Sequence, residues 1–215
     1  MKRFEQELDS LKQRVMEMGR TTENMVSQST AALLDHDTGA IERVLADEAK
    51  LDRFQLEIDG ESVRLITIYT PIAKDLRFLL MVTRINAELE RIGDQAVNNC
   101  EYVQTISRSP EVPLNDISRM CQITTAMVRD ALTAFDQEDT VMAQSVLKSD
   151  DEVDQLYNQT FSDLLADPAD DEDRLSRSMN LILVARSLER IADHATNICE
   201  EVIYMVNSED IRHQH

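Results

Sequence analysis

Two stretches of the chain carry the same acids at the same spacing. Glu90, Asp94 and Asn98 stand four apart, as do Glu189, Asp193 and Asn197, and the two sets lie 99 residues apart with no gap between the stretches. Arg91 and Arg190, Ile92 and Ile191, Ala96 and Ala195, Cys100 and Cys199, and Glu101 and Glu200 coincide under that offset. On a helix, spacing of i, i+4, i+8 puts three side chains on one slowly drifting face. Such a row, rich in carboxylate and lacking thiolate, offers hard oxygen ligands. That donor set suits Mg, Mn or Fe rather than a thiolate zinc site.

Each half of the chain holds two acid-x-x-x-Asp pairs: Glu48/Asp52 and Glu90/Asp94 in the first, Asp150/Asp154 and Glu189/Asp193 in the second. With 41 acids in 215 residues, chance alone gives roughly eight pairs at the helical neighbour spacing, so pairing by itself says little. Three features raise these four above chance. They recur at matching places in both halves. They fall on neighbouring helices. The third-helix pairs lie beside an apolar stripe, with Leu79, Ile85, Leu89, Val97 and Cys100 near Glu90, and Leu181, Leu188, Ala192, Ala195 and Cys199 near Glu189. An acid at the edge of a core is costly unless it is paired or bound to a cation. Gly93 and Ala192, between the acids, allow a second helix to come close. The expectation is one metal site per half, with Asn98, Glu101, Asn197 and Glu200 as candidate extra ligands. The competing reading pairs Glu90 and Glu189 with Arg84, Arg91, Arg186 or Arg190. His194 reads as a surface or supporting residue rather than a ligand. Cys100 and Cys199 read as small core residues, and three cysteines without a CxxC pair give no disulfide framework.

No nucleophile stands with a base. GxSxG, P-loop and HExxH motifs are absent, and so is the Glu-x-x-His pair that carboxylate-bridged di-iron bundles use. The chain therefore reads as a non-enzyme with no organic cofactor. The alternative is a metal-dependent helical-bundle enzyme or metal store built on the carboxylate clusters.

The elements that position these acids are helices. Four Gly, four Pro and no Trp, against abundant Ala, Leu, Met, Glu and Arg, favour helix. Apolar periodicity and breakers predict helices over about 4–35, 39–69, 71–106, 114–136, 140–165 and 171–206. Leu45, Val44, Ile58, Leu65 and Ile68 mark the face of the second, and Pro71 is placed in the first turn of the third. Asp37 or Thr38 is the expected N-cap of the second helix. At an offset of 102, Met25-Val26 matches Met127-Val128, Asp37-Thr38 matches Asp139-Thr140, and Val44-Leu45 matches Val146-Leu147. The fold is therefore all-α: two tandem three-helix bundles related by an internal repeat, 1–108 and 114–206, with a tail at 207–215. Ser107 to Pro113 is the clearest break, followed by Asp167-Pro168. The tail histidines, His213 and His215, carry no role.

The net charge of −19 excludes nucleic acid as a partner, because phosphate contacts need a basic surface. No apolar run approaches the roughly 18 residues of a spanning helix, and the N-terminus lacks the apolar core of a signal peptide. A cytoplasmic protein, not inserted in a membrane, is expected.

The residues then reach a known family. Leu89-Glu90-Arg91-Ile92-Gly93-Asp94-Gln95-Ala96-Val97-Asn98 and Leu188-Glu189-Arg190-Ile191-Ala192-Asp193-His194-Ala195-Thr196-Asn197-Ile198 resemble the paired signatures of the PhoU family, as do Asp75-Leu76-Arg77 and the ending Glu200 to Val206 followed by Glu209 to His213. The likeness spans nearly the whole chain, with departures at Glu88, Asn99 and Cys100. It implies a six-helix, often homodimeric, cytoplasmic regulator of phosphate uptake. Such a protein acts between the ATPase subunit of the phosphate ABC transporter and the phosphate-sensing histidine kinase, and restrains the phosphate-starvation response. The resemblance also implies acid-x-x-x-Asp motifs, here the four pairs named above, that carry iron- or zinc-type clusters in some members and no metal in others.

Overall fold

The computed structural model describes residues 2–106, 115–166 and 172–211. It holds six helices: α1 (Lys2–Leu34), α2 (Thr38–Tyr69), α3 (Ala73–Ile106), α4 (Asn115–Gln137), α5 (Thr140–Ala166) and α6 (Glu172–Asn207). The expected breaks at Ser107–Pro113 and Asp167-Pro168, and the tail from Arg212, lie outside the described residues.

The repeat is visible in the turns. Asp37 caps α2 by accepting from the backbone N–H groups of Gly39 and Ala40. Asp139 does the same for α5 through Val141 and Met142. The residue before each cap, His36 and Glu138, is left-handed with φ of 55° and 53°. α3 begins later than expected. Thr70 closes α2 in the left-handed conformation, and Ala73 also has positive φ, so Pro71 belongs to the connecting turn and not to the first helical turn.

Within each half, all three helices touch one another. Between the halves, α3 lies along α6, and α1 meets α4; α2 and α5 touch only helices of their own half. Arg77 donates to the carbonyl of Met205, Arg84 pairs with Glu201, and Asn197 reaches Glu88, so α3 and α6 run antiparallel. One continuous core results, built from Leu79, Ile85, Leu89 and Ile92 on α3, Leu181, Leu188 and Ile191 on α6, and Met18, Met25, Met127 and Phe135 beneath them. Burial at this scale, about 25 cal/mol per Å² of apolar surface, is what holds long helices of modest propensity together. Leu45, Ile68 and Leu80 are 44%, 59% and 46% exposed. Leu45 and Ile68 are expected on the apolar face of α2, but they and Leu80 fall on flanks that no neighbouring helix covers. No helix among the described residues is long and apolar enough to cross a membrane.

Candidate functional site

The eight acids gather as two clusters, one per half. α2 carries Glu48 and Asp52 against α3's Glu90 and Asp94; α5 carries Asp150 and Asp154 against α6's Glu189 and Asp193. The pattern of exposure repeats too. The first acid of each pair is half-buried, and the second, one turn on, is exposed. Local sequence explains the approach in the first half. A Cβ added at Gly93 would stand 2.1 Å from Leu51 Cδ2, so α2 settles onto α3 because residue 93 has no side chain.

The clusters have no directly bonded counter-charge. Among the described residues none of the eight forms a side-chain hydrogen bond or an ion pair. The arginines proposed as partners for Glu90 go elsewhere: Arg84 to Glu201 and Arg91 to Glu88, both at 3.1 Å. Burial, and then repulsion from Asp52, Asp94 and Glu101, raises Glu48 above the ordinary carboxylate range. Glu90 and Asp94 rise for the same reasons, burial first and neighbouring acids next. In the second half, burial followed by Asp154, Asp193 and Glu189 pushes Asp150 up to about 7. Glu189 and Asp193 are raised as well, only partly offset by Arg190. Buried carboxylates next to one another favour a bound proton or a cation.

As the side chains stand, no group of three or more among the described residues is drawn round a single point as a ligand set. They are neighbours that repel, not a closed cage. The donor chemistry nevertheless fits a hard cation, and Asp150 Oδ1 is buried without any hydrogen-bond partner, an orphan a cation would satisfy. Of the four further candidates, Glu101 lies within the field of Glu48. Asn98 turns its amide toward Gln95 Oε1 at 3.5 Å. Asn197 donates to Glu88 Oε2 at 3.1 Å, and Glu200 lies half-buried beside Cys199. Cys100 and Cys121 are pushed up to about 12 by burial, and Cys199 is raised for the same reason. The thiols are core residues.

One site escaped the sequence. Glu88 Oε2 lies 2.7 Å from His194 Nδ1 while it accepts from Asn197, and Glu88 Oε1 accepts from Arg91. The hydrogen bonds from His194 and Asn197 outweigh burial and hold Glu88 below the usual carboxylate range. This node ties α3 to α6 between the clusters, and the charge of His194 is felt by Glu90, Asp94 and Asp193. The only hint in the sequence was the pairing of Asp193 with an adjacent histidine in one repeat alone.

The PhoU domain matches residues 15–103 and again 117–202. The chain is 35% identical over 216 residues to a phosphate-specific transport system accessory protein PhoU homolog of Aquifex aeolicus, covering 100% of this chain and 97% of that protein. It is 32% identical to the phosphate-specific transport system accessory protein PhoU of Escherichia coli, covering 98% and 88%. The crystal structure of PhoU from Pseudomonas aeruginosa superposes with a TM-score of 0.92 at 33% identity, over 96% of this chain and 100% of that one. With the domain present twice, the two carboxylate clusters in register and relatives matched end to end, this chain belongs to the PhoU family.

Proposed function

We propose that the protein is an accessory and regulatory protein of phosphate-specific transport, with no catalytic activity of its own. The observation that carries this reading is the end-to-end likeness to relatives named as accessory proteins of that system. In this reading it acts in the cytoplasm as a homodimer. It links the ATPase subunit of the phosphate transporter to the phosphate-sensing histidine kinase and keeps the starvation response off when phosphate is plentiful.

The clusters fit a role as metal sites, with Glu48, Asp52, Glu90 and Asp94 holding one ion or group of ions and Asp150, Asp154, Glu189 and Asp193 the other. A bound Fe, Mn, Mg or Zn would supply positive charge to which an anion or a partner's carboxylate can bind. The chain's own residues keep acids of like charge close on rigid helices, so that their repulsion is released on binding. Two experiments test the reading. In a deletion strain, a phosphate-starvation reporter should be active in rich phosphate and silenced again by the intact gene; a reporter that stays silent after deletion refutes the regulatory role. Protein purified without chelator or tag should carry metal that the Glu90→Ala, Asp94→Ala, Glu189→Ala, Asp193→Ala variant lacks. Equal metal in both would remove the clusters as sites.

A further inference from the structure

The two repeats differ in the groove between their first and second helices. In the first half, side chains bridge that groove. Asn24 Nδ2 donates to Asp47 Oδ2 at 3.2 Å, and Lys50 Nζ sits 2.6 Å from Asp47 Oδ1. Arg43 reaches back across α1 to Gln28 Oε1 at 2.6 Å and to the capping Asp37 at 2.7 Å. Under the repeat offset, Asn24 becomes Ala126, Gln28 becomes Asp130, Arg43 becomes Ser145, Asp47 becomes Ser149 and Lys50 becomes Glu152. Those bridges are absent, the groove is spanned instead by Arg119 and Glu152, and a cavity of about 260 Å³ opens between α4 and α5 at this place.

The replacement changes charge as well as volume. At these five positions the first half holds two bases and one acid, and the second holds two acids and no base. One of those acids, Glu152, is met by Arg119 at 3.0 Å at the rim. Asp130 forms an ion pair with its chain neighbour Arg129, at 3.2 Å through Oδ1, and among the described residues no other side chain bonds it. The two serines present acceptors. Ser145 Oγ spends its proton on the carbonyl of Met142 at 2.8 Å, and Ser149 Oγ on that of Ser145 at 3.1 Å, which leaves the hydroxyl oxygens free to receive a donor. The floor is apolar: Met127 and Val146, each 2% exposed, and Ala126. An apolar floor with acceptors and one carboxylate above it suits a donor-rich cation on a short hydrocarbon stem.

We propose that the α4/α5 groove binds an alkylguanidinium or alkylammonium group, seated where the first half places its own Arg43. The stem lies on Ala126, Met127 and Val146. The head donates to Asp130 and to the two serine oxygens. The first half fills the equivalent position from within and has no need of a ligand there. The second half has serine in place of Arg43 and keeps the space; the one arginine that lines it, Arg119, is engaged with Glu152.

The test uses the full-length protein and two probes, agmatine and Nα-acetylarginine amide, titrated by calorimetry and by amide chemical shifts. Wild type should bind at least one of them saturably with a Kd of about 1 mM or better, the scale for a small ligand held by one charge contact. Ser145→Arg, which restores the first-half residue, should weaken binding at least tenfold by filling the groove. Asp130→Asn should weaken it about tenfold without changing volume, and it decides the matter alone if Ser145→Arg fails to fold. Capped arginine binding as well as agmatine assigns the site to a side chain presented by a polypeptide; agmatine binding alone assigns it to a free amine. The proposal is overturned if neither probe saturates wild type. It is equally overturned if both variants bind as wild type does, since the probe would then be following the overall negative charge.

Discussion

Gly93 and Leu51 occupy the same space in turn: a methyl group on the first would overlap the Cδ2 of the second at 2.1 Å. The equivalent pair in the second half is Ala192 and Val153, both fully buried. One half combines no side chain with leucine, and the other a methyl with valine, so the volume at this helix crossing is shared differently and conserved in sum. Gly93→Ala gains about 1 kcal/mol of helix propensity but overpacks the crossing, at a cost of about 1–3 kcal/mol. A net loss of about 1 kcal/mol is expected in urea unfolding. Adding Leu51→Val, which copies the second half, should recover it, with a favourable coupling of about 1–2 kcal/mol between the sites. Additive losses would mean that the two residues do not share the space.

Acidity gives a second expectation. Folded Asp150 keeps its proton up to about pH 7, whereas its ordinary value is 3.8. Between these values the folded chain binds more protons than the unfolded one, so stability falls as pH rises. Glu48, Glu90, Asp94, Glu189 and Asp193 are raised and share this sign. Glu7, Asp37, Glu61 and Glu88 are lowered. Their contribution is lost only as pH falls below the ordinary carboxylate range. In chelator, wild type should lose about 1–2 kcal/mol relative to Asp150→Asn from about pH 5 to about pH 8, a figure discounted for solvent on the open side of the cluster. Urea melts across that range decide it; a flat difference would mean that Asp150 is not held protonated.

The node between the halves should be measurable by substitution. Glu88→Ala leaves His194 and Asn197 without their acceptor at a partly buried contact and should cost about 2 kcal/mol. Glu88→Gln keeps the shape and one acceptor and should cost about half as much. A loss for the alanine variant below about 0.5 kcal/mol, the level of an ordinary surface change, would demote the node to a surface contact.

At the turn between α4 and α5, Glu138 bears a left-handed backbone with φ of 53°. Its ion pair with Lys74 is long, at 3.5 Å, and exposed, and is worth little. Glu138→Gly should therefore raise stability by about 0.5–1 kcal/mol by relieving the backbone. The same change at His36, its counterpart with φ of 55°, should act alike. A destabilised Glu138→Gly would show that the backbone at this turn is not strained.

The helices and the acids were legible because both are periodic. Polar residues at i and i+4 beside a buried stripe, seen twice, predicted that α2 and α3, and α5 and α6, would bring Glu48, Asp52, Glu90 and Asp94, and their counterparts, together. The pairing of Arg84 and Arg91 was not legible. Arg84 has Glu88 within helical reach and Arg91 has Glu88 and Asp94, yet the partners found, Glu201 on another helix for Arg84 and Glu88 one turn back for Arg91, are set by how α3 crosses α6. Leu45 and Ile68 misled for a related reason: α2 packs on two helices only, so its apolar arc is narrower than its hydrophobic residues suggest. The α4/α5 groove was also hidden, because a cavity is defined by side chains that are missing, and only comparison of the two repeats at fixed positions shows what was lost.

The bond from Glu88 to His194 and Asn197 has a consequence for assembly. Under the repeat offset the counterpart of Glu88 is Ser187, and the counterparts of His194 and Asn197 are Gln95 and Asn98. Two first halves placed face to face would set a carboxylate against neutral amides, and two second halves would bring histidine to serine with no acid at all. Arg84 and Glu201 behave the same way, since their counterparts are Leu183 and Tyr102. Each half thus carries only one side of the lock. After a duplicated unit has been joined in tandem, such one-sided matching makes a half bind its sister in preference to a copy of itself, and it discourages pairing of like halves while the chains fold.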